Sequence, residues 1–190
     1  MIEEDSDLSQ RTDAFRLGRP SNSQGDARRS QRFEELVASH GQGLLDLARR
    51  VLGDREEARD VRQVAFLRLW GALEELEPGR EGPWVHRVVL NLCRDRSRSV
   101  RVRQQYSNAF ESGVAPAADA PAREREVERS VSEAVRALPE EERDVVLLKH
   151  YGGLTFRAVA DALQVPVTTV KSRLQRALER LRVPLREFSP

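Results

Sequence analysis

The sequence is poor in cysteine and has no long apolar run. Its single cysteine, Cys93, excludes an internal disulfide framework and any zinc site built from several cysteines. No apolar run is long enough to span a bilayer, and the polar N-terminus has no hydrophobic region typical of a secretory signal. These features favour a protein of the reducing cytoplasm that is not inserted in a membrane.

Signatures of catalysis are missing as well. The histidines His40, His86 and His150 are scattered without metal-ligand spacing, and there is no glycine-rich phosphate loop or nucleophile elbow. Cys93 lies among apolar residues, which favours a small core side chain over a nucleophile. The sequence therefore predicts a protein that is not an enzyme, with no cofactor, no catalytic residue and no metal site.

Charged residues are abundant, and apolar residues recur between them at helical spacing. Charged residues make up 33% of the 190 residues and aromatic residues 5%, which favours helical domains with ion pairs on their surfaces. Apolar residues recur at helical spacing along 32–105 and again along 127–190. Residues 106–126 are rich in alanine and proline and predict a flexible linker, whereas residues 1–31 lack a hydrophobic period and predict a disordered arm. The predicted fold is all-α, with two small helical domains.

The C-terminal domain has the spacing of a helix-turn-helix. Thr155 can cap a short helix, "FRAVADAL", and Pro166 is well tolerated at the start of a second helix. Spacings of three and four predict the buried face of the second helix: Val170, Leu174, Ala177, Leu178 and Leu181.

The outward face of the second helix is predicted to contact DNA. Between Val165 and Arg182 five basic residues stand against Glu179 alone. Short hydroxyl side chains near a helix start approach phosphates and base edges closely, and arginine can bind guanine through two hydrogen bonds. An ordinary solvated helix is the alternative, but the preceding short helix and turn favour DNA binding. The predicted contacts are Thr168, Thr169, Lys171, Ser172, Arg173 and Arg176.

A second basic segment, "WVHRVVLNLCRDRSRSVRVR", ends the first domain. Six arginines there stand against Asp95 alone, and Asn91 has a side chain that can read a base edge. From this segment alone, DNA contact and a merely solvated helix end remain equally open. Trp84 begins this segment, and a role as a core anchor is favoured over stacking on a base.

The two halves together resemble a known family. "EEARDVRQVAFLRLW" followed by "WVHRVVLNLCRDRSR" resembles the second conserved region of the sigma-70 family of bacterial RNA polymerase subunits. "ALPEEERDVVLLKHYGGLTFRAVADALQVPVTTVKSRLQRALERLR" resembles the fourth region. Because only these two regions and a short linker are present, the chain is similar to the extracytoplasmic-function group. The resemblance implies a sigma factor that directs core RNA polymerase to specific promoters.

The resemblance also implies a role for each segment. The segment 32–105 would bind the clamp helices of the largest polymerase subunit and recognise and melt the −10 element, and 127–190 would read the −35 element. The implied polymerase contacts are Asp60, Gln63, Phe66 and Leu67. The implied −10 contacts are Trp84, Arg87, Val88, Asn91, Arg94 and Arg98. The family further implies an anti-sigma factor as a partner.

Three departures from the family pattern are present. Gln164 stands at the turn position where the family frequently has glycine, which implies a left-handed backbone there. Val64 stands where the family commonly has glutamate, which would weaken the polymerase contact or place Val64 against the first helix. Thr168 stands where a smaller residue is usual, which would alter the −35 preference. The main alternative function is a stand-alone helix-turn-helix regulator whose N-terminal helices form a sensor or dimerisation module. The basic helix of the first domain argues against it, because a sensor has no need of one.

Overall fold

The computed structural model describes residues 23–106 and 122–186, and these residues form helices joined by turns and short loops. The helices in chain order are α1 Ser23–Leu52, α2 Arg55–Ala72, α3 Glu81–Tyr106, α4 Ala122–Ala137, α5 Glu140–Val146, α6 Phe156–Leu163 and α7 Val167–Arg182. Helix α5 continues directly into a π-helical turn, Leu147–Tyr151. The all-α prediction is confirmed.

Two predicted boundaries are wrong at their edges. Helix α1 begins at Ser23, so 23–31 is helical rather than part of the predicted arm. The Arg29 guanidinium lies 4.3 Å from the centroid of the Trp70 ring, and its Nη1 donates a hydrogen bond to Glu74 at 3.4 Å. Contacts with residues distant in sequence therefore stabilise the start of α1, although this segment has no hydrophobic period. Helix α4 begins at Ala122, inside the predicted linker 106–126. The rest of the arm and of the linker lies outside the described residues.

Helices α1, α2 and α3 pack around an apolar core and form the first unit of the structure. Asp54 caps α2, because its Oδ1 accepts a 2.8 Å hydrogen bond from the backbone N–H of Glu57. Each helix turns an apolar stripe inward. The fully buried side chains of this core include Leu44, Leu47, Val61, Leu69, Val85, Val89 and Cys93. Cys93 is thus a core side chain, and burial raises the pKa of its thiol to about 12.

A partly buried ion pair joins α1 to the start of α3. Helix α3 begins at Glu81, so Pro83 lies in its first turn. Arg32 Nε donates to Glu81 Oε1 at 2.7 Å, and Arg32 Nη2 donates to the same carboxylate and to the carbonyl of Leu76. Burial acts to raise the Glu81 pKa, but hydrogen bonds from backbone N–H groups and from Arg32 lower it below its usual value. Glu81 therefore stabilises the fold at neutral pH, and this contribution is lost as the pH falls through the lowered pKa.

Breaking this pair is expected to destabilise the protein strongly. Arg32→Met leaves the carboxylate of Glu81, whose side chain is 6% exposed, without its guanidinium partner. We expect the free energy of unfolding to fall by about 2 kcal/mol, as measured by urea denaturation. Arg59→Met is the matched control, because its pair with Glu56 is exposed, and it should cost less than about 1 kcal/mol. Equal effects of both substitutions would contradict this assignment.

Helices α5, α6 and α7 with the π-helical turn form the second unit, whose buried side chains belong to the same apolar cluster as those of the first. Its buried side chains include Val145, Leu148, Val159, Val170, Ala177 and Leu181. The first turn of α5 carries Glu140, Glu141 and Glu142, where the helix dipole favours negative charge. This second unit also contacts the first, through α3 against α6 and through α1 against the π-helical turn.

Candidate nucleic-acid interface

The turn between α6 and α7 has the geometry predicted for a helix-turn-helix. Thr155 caps α6, because its Oγ1 accepts a hydrogen bond from the Ala158 N–H at 3.1 Å. Gln164 ends α6 at φ 56° and ψ 44°, the left-handed conformation implied by the family's frequent glycine at this position. Pro166 precedes the first residue of α7, where its missing N–H leaves no helical hydrogen bond unmade. These local features fix the angle at which α7 leaves the turn.

Most of the predicted DNA contacts on α7 are exposed. Thr168, Lys171, Ser172 and Arg176 lie at the surface, whereas Thr169 is half-buried. The Ser172 hydroxyl donates to the Thr169 carbonyl at 3.0 Å, and Arg176 Nε donates to the Ser172 carbonyl at 3.4 Å. The charged groups of Lys171 and Arg176 lie at the surface of α7, where a phosphate or a base edge can reach them.

Two residues of α7 differ from their predicted positions. Arg173 does not point outward, because its side chain is 16% exposed and Nη2 lies 2.6 Å from Glu141 Oε2 on α5. Leu178 was predicted to be buried but is 51% exposed. With Phe156 and Leu174 it lines a shallow apolar groove on the second unit. The helical spacing predicted the buried stripe of α7 correctly except at its edge, because α5 and α6 do not cover Leu178.

The candidate −10 face of α3 lies partly under the second unit. Asn91 and Arg98 are exposed, Arg87 and Val88 are half-buried, and Trp84 packs against the core as predicted. Arg94 Nη2 donates to Asp144 and lies 3.1 Å from Glu140 Oε1, both on α5. Burial raises the pKa of the Asp144 carboxyl, and the Arg94 guanidinium opposes that shift. Arg94, which is an implied −10 contact, is therefore paired with carboxylates of α5.

A cleft between the two units brings both candidate DNA faces together. Arg87, Asn91 and Arg94 line one side, and Glu140, Glu141, Asp144, Leu163 and Arg173 line the other. The sequence did not predict this meeting, because the residues belong to segments separated by the linker. In this arrangement the α3 face and the inner edge of α7 share one cleft.

A buried histidine forms another contact between the units that the sequence did not reveal. His86 Nδ1 lies 2.8 Å from the Gly82 carbonyl oxygen, and Nε2 lies 3.0 Å from the Gly152 carbonyl oxygen in the second unit. Burial lowers the pKa of His86 to about 4, so the ring is neutral at pH 7 and its single N–H donates to one of these carbonyls. His40 packs edge-on against it, with ring centroids 5.3 Å apart.

The candidate polymerase face of α2 combines polar and apolar exposure. Gln63 is exposed and Leu67 is 66% exposed, so both are available to a partner. Asp60 Oδ2 lies 3.9 Å from Arg96 Nη1. Phe66 instead packs edge-on against Phe33, with ring centroids 6.0 Å apart. Phe66 is therefore half-buried in an aromatic contact with α1.

Sequence reasoning missed one residue of this face, Trp70. Its side chain is 37% exposed and packs against Phe33 with ring centroids 5.2 Å apart. It lies one helical turn from Leu67, so the two form an apolar patch on α2. The helical period could have identified it, since Leu67 and Trp70 share a face that Leu69 does not. Val64, one turn earlier, is half-buried.

No group of histidine, cysteine, aspartate or glutamate side chains in 23–106 and 122–186 is arranged to hold a metal ion. In the same residues, no helix is both long and apolar enough to cross a membrane.

Comparison with known proteins gives consistent matches along most of the chain. The family described as Sigma-70 region 2 matches residues 36–103, and that described as Sigma-70, region 4 matches residues 128–181. The RNA polymerase sigma-E factor of Streptomyces coelicolor is 32% identical over 155 residues, which cover 80% of this chain and 85% of that relative. The ECF RNA polymerase sigma factor SigL of Mycobacterium tuberculosis is 31% identical over 158 residues, covering 80% of this chain and 88% of that relative.

Solved structures share the arrangement of helices. The structure of CnrH in complex with the cytosolic domain of CnrY is similar with a TM-score of 0.62 at 25% identity, covering 88% of this chain and 96% of that one. The sigma factor RpoE in complex with the anti-sigma factor NepR from Bartonella quintana has the same fold, with a TM-score of 0.60 at 20% identity. That match covers 83% of this chain and 96% of that chain.

Proposed function

Because the chain belongs to the extracytoplasmic-function group of the sigma-70 family, we propose that it directs core RNA polymerase to specific promoters and starts transcription there. It acts in the cytoplasm and has no catalytic residue of its own. One observation carries the proposal: the chain has two basic helices, α3 and α7, each placed in a region that matches this family.

The proposed reader of the −35 element is the first half of α7. Lys171 and Arg176 are exposed there, and Thr168 and Ser172 present short polar side chains beside them. A helix of this kind enters the major groove with its N-terminal residues against base edges. Arginine can distinguish guanine through paired hydrogen bonds, whereas lysine contributes contact with phosphate. The four exposed residues therefore divide between specificity and affinity.

The proposed −10 surface is the solvent side of α3. Asn91 can accept and donate hydrogen bonds to a base edge, and Arg98 is exposed one turn further along. Trp84 packs at the start of the helix, so we assign it to anchoring α3 rather than to stacking on a flipped base. Melting then depends on polar and cationic contacts to the displaced strand more than on aromatic wedges.

The proposed polymerase contact is the exposed face of α2. Leu67 and Trp70 supply an apolar centre, and Gln63 supplies a polar margin. An apolar centre with a polar rim is typical of protein interfaces. The clamp helices of the largest polymerase subunit are the proposed partner, as the family resemblance implies. Asp60 is proposed at the edge of the same contact.

We also propose an anti-sigma factor as a regulatory partner. CnrH was solved with the cytosolic domain of CnrY, and RpoE of Bartonella quintana with NepR. The groove around Phe156, Leu174 and Leu178 offers such a partner exposed apolar surface. Purification of the tagged chain from its own cells should recover one dedicated protein besides polymerase. Recovery of polymerase alone would overturn this part of the proposal.

Run-off transcription tests the main proposal. Core polymerase is supplied with genomic promoter fragments, with and without the purified chain. The expected result is a set of new transcripts that share sequences near −35 and −10. Binding to duplex sites without any binding to core polymerase would instead favour the stand-alone regulator.

A further inference from the structure

We propose that an arginine-lined pocket of this chain binds a small molecule through a diphosphate group, as in a nucleoside diphosphate. The pocket has a volume of about 230 Å³, with α1 and α3 on one side and α4 and α5 on the other. It adjoins the cleft that Asn91 and Arg173 share, but neither of these residues lines it. This ligand site does not depend on the proposed function.

The pocket carries an excess of positive charge. Arg94 pairs with Asp144 and lies 3.1 Å from Glu140, so these three charges largely satisfy one another. Among residues 23–106 and 122–186, no carboxylate lies within ion-pair distance of the other four arginines of the pocket. A concave surface of one charge sign with low-dielectric walls concentrates the electrostatic field and attracts anions. These four arginines are Arg50, Arg98, Arg136 and Arg143.

Neutral partners hold two of these guanidiniums in place. Arg50 donates to the Tyr151 hydroxyl and, at 2.5 Å, to Ser132 Oγ, and its guanidinium lies 4.5 Å from the centroid of the Tyr151 ring. Arg143 Nη1 donates to the Arg136 carbonyl at 3.0 Å. Such partners orient an arginine without neutralising it, and each guanidinium has further N–H donors. The remaining donors are therefore pre-organised for an anion.

The charge and the size of the pocket favour a diphosphate group. Five arginines against two carboxylates leave an excess of three positive charges. A phosphate monoester carries about 1.5 to 2 negative charges at pH 7, and a diphosphate about one more. Arginine also binds phosphate oxygens through paired hydrogen bonds, which a planar guanidinium supplies. The volume of 230 Å³ equals that of about eight water molecules at roughly 30 Å³ each, which is close to the size of a diphosphate ion.

Apolar side chains form the rest of the wall. Val51 and Leu90 come from the first unit, and Val135 and Leu147 from the helices that follow the linker. A free diphosphate ion would leave this apolar surface in contact with water, whereas the organic part of a diphosphate ester can cover it. We therefore expect an ester to bind more tightly than the free ion.

Isothermal titration calorimetry of the full chain tests the site. The probes are adenosine diphosphate, inorganic diphosphate, adenosine and sulfate, at fixed ionic strength and with EDTA present to exclude a bridging divalent cation. Adenosine diphosphate should bind about tenfold more tightly than inorganic diphosphate, a difference that corresponds to partial burial of its organic part. Adenosine and sulfate should not bind at the same concentrations. A saturating diphosphate should also raise the Tm by about 5 °C, because it binds the folded state alone.

Two matched variants locate the site. Arg136→Gln removes an exposed guanidinium that lines the pocket. Arg129→Gln removes the same charge from an exposed position two turns earlier on α4, on the same face of the helix but outside the pocket. Arg136→Gln should weaken the binding of adenosine diphosphate by about tenfold or more, since it removes charge-assisted hydrogen bonds. Arg129→Gln should change it by less than about twofold. Without ligand both variants should melt at the temperature of the wild type, because both side chains are exposed.

Each outcome decides for or against the site. Equal losses in Arg136→Gln and Arg129→Gln would show general attraction of anions and overturn the proposal. Absence of heat and of a Tm increase with both diphosphates would overturn it as well. It would also be overturned if sulfate raised the Tm as much as a diphosphate. If neither diphosphate bound, and Arg136→Gln weakened binding of a short single-stranded oligonucleotide more than Arg129→Gln did, the pocket would instead be a nucleic-acid contact. Equal affinity for the free ion and the ester would support the site and assign it to free diphosphate.

Discussion

Arg176→Ala is expected to lower run-off transcription from a cognate promoter by about tenfold or more, with unchanged binding to core polymerase. Arg176 is exposed on the outer face of α7, so its loss leaves the core intact. A good paired contact between arginine and a base discriminates by about 1–3 kcal/mol, and each 1.4 kcal/mol is tenfold. The measurement is run-off transcription at limiting protein, beside a pull-down of core polymerase.

Arg186→Ala is the matched control for Arg176→Ala. It removes the same charge from an exposed residue beyond the end of α7, so a loss of general attraction to DNA affects both variants equally. Only Arg176→Ala should change the preferred −35 sequence. Lys171→Ala should weaken binding to all sequences and reduce the salt dependence instead. A fall in polymerase binding with Arg176→Ala would contradict the assignment of α7 to DNA.

Local chemistry explains the parts of the fold that the sequence predicted well. The Thr155 cap, the left-handed Gln164 and the Pro166 entry each depend on a residue and its near neighbours. Helical spacing likewise predicted the buried stripe of α7 at Val170, Ala177 and Leu181. Such features follow from backbone sterics and periodicity, so they do not require knowledge of distant packing.

Long-range contacts explain what the sequence could not predict. Arg173 belongs to the outward set by spacing, yet Glu141 draws it against α5. Arg94 pairs with Asp144 across the two units, and His86 meets the Gly152 carbonyl in the same way. The local sequence pattern does not predict such pairs. Charge and helical period indicate which residues share a face of a helix, but not which distant residues pack against that face.

The same limit applies to α1 and α2. The start of α1 has no hydrophobic period, and its order depends on Arg29 reaching Trp70 and Glu74. Phe66 carries the family resemblance to a polymerase contact but packs on Phe33. The sequence therefore predicts the helices of the candidate site and their charge. It does not predict which individual side chains are exposed, because that depends on tertiary packing.

Leu67→Asp is expected to weaken binding to core polymerase by about 30-fold. Leu67 is 66% exposed, so a carboxylate there remains hydrated in the free protein and leaves folding intact. In a complex the carboxylate would be buried against an apolar centre that includes Trp70, and central interface residues contribute about 2 kcal/mol or more. Surface plasmon resonance with immobilised core polymerase measures the loss.

The conservative Leu67→Met should bind core polymerase nearly as well as the wild type, because it keeps an apolar side chain of similar size. Leu67→Asp should still bind promoter duplex in the absence of polymerase, as α7 is untouched. It is therefore the converse of Arg176→Ala, which keeps polymerase binding and loses promoter recognition. If Leu67→Asp bound polymerase like the wild type, the exposed face of α2 would not be the docking surface, and the apolar groove on α6 and α7 would become the next surface to test.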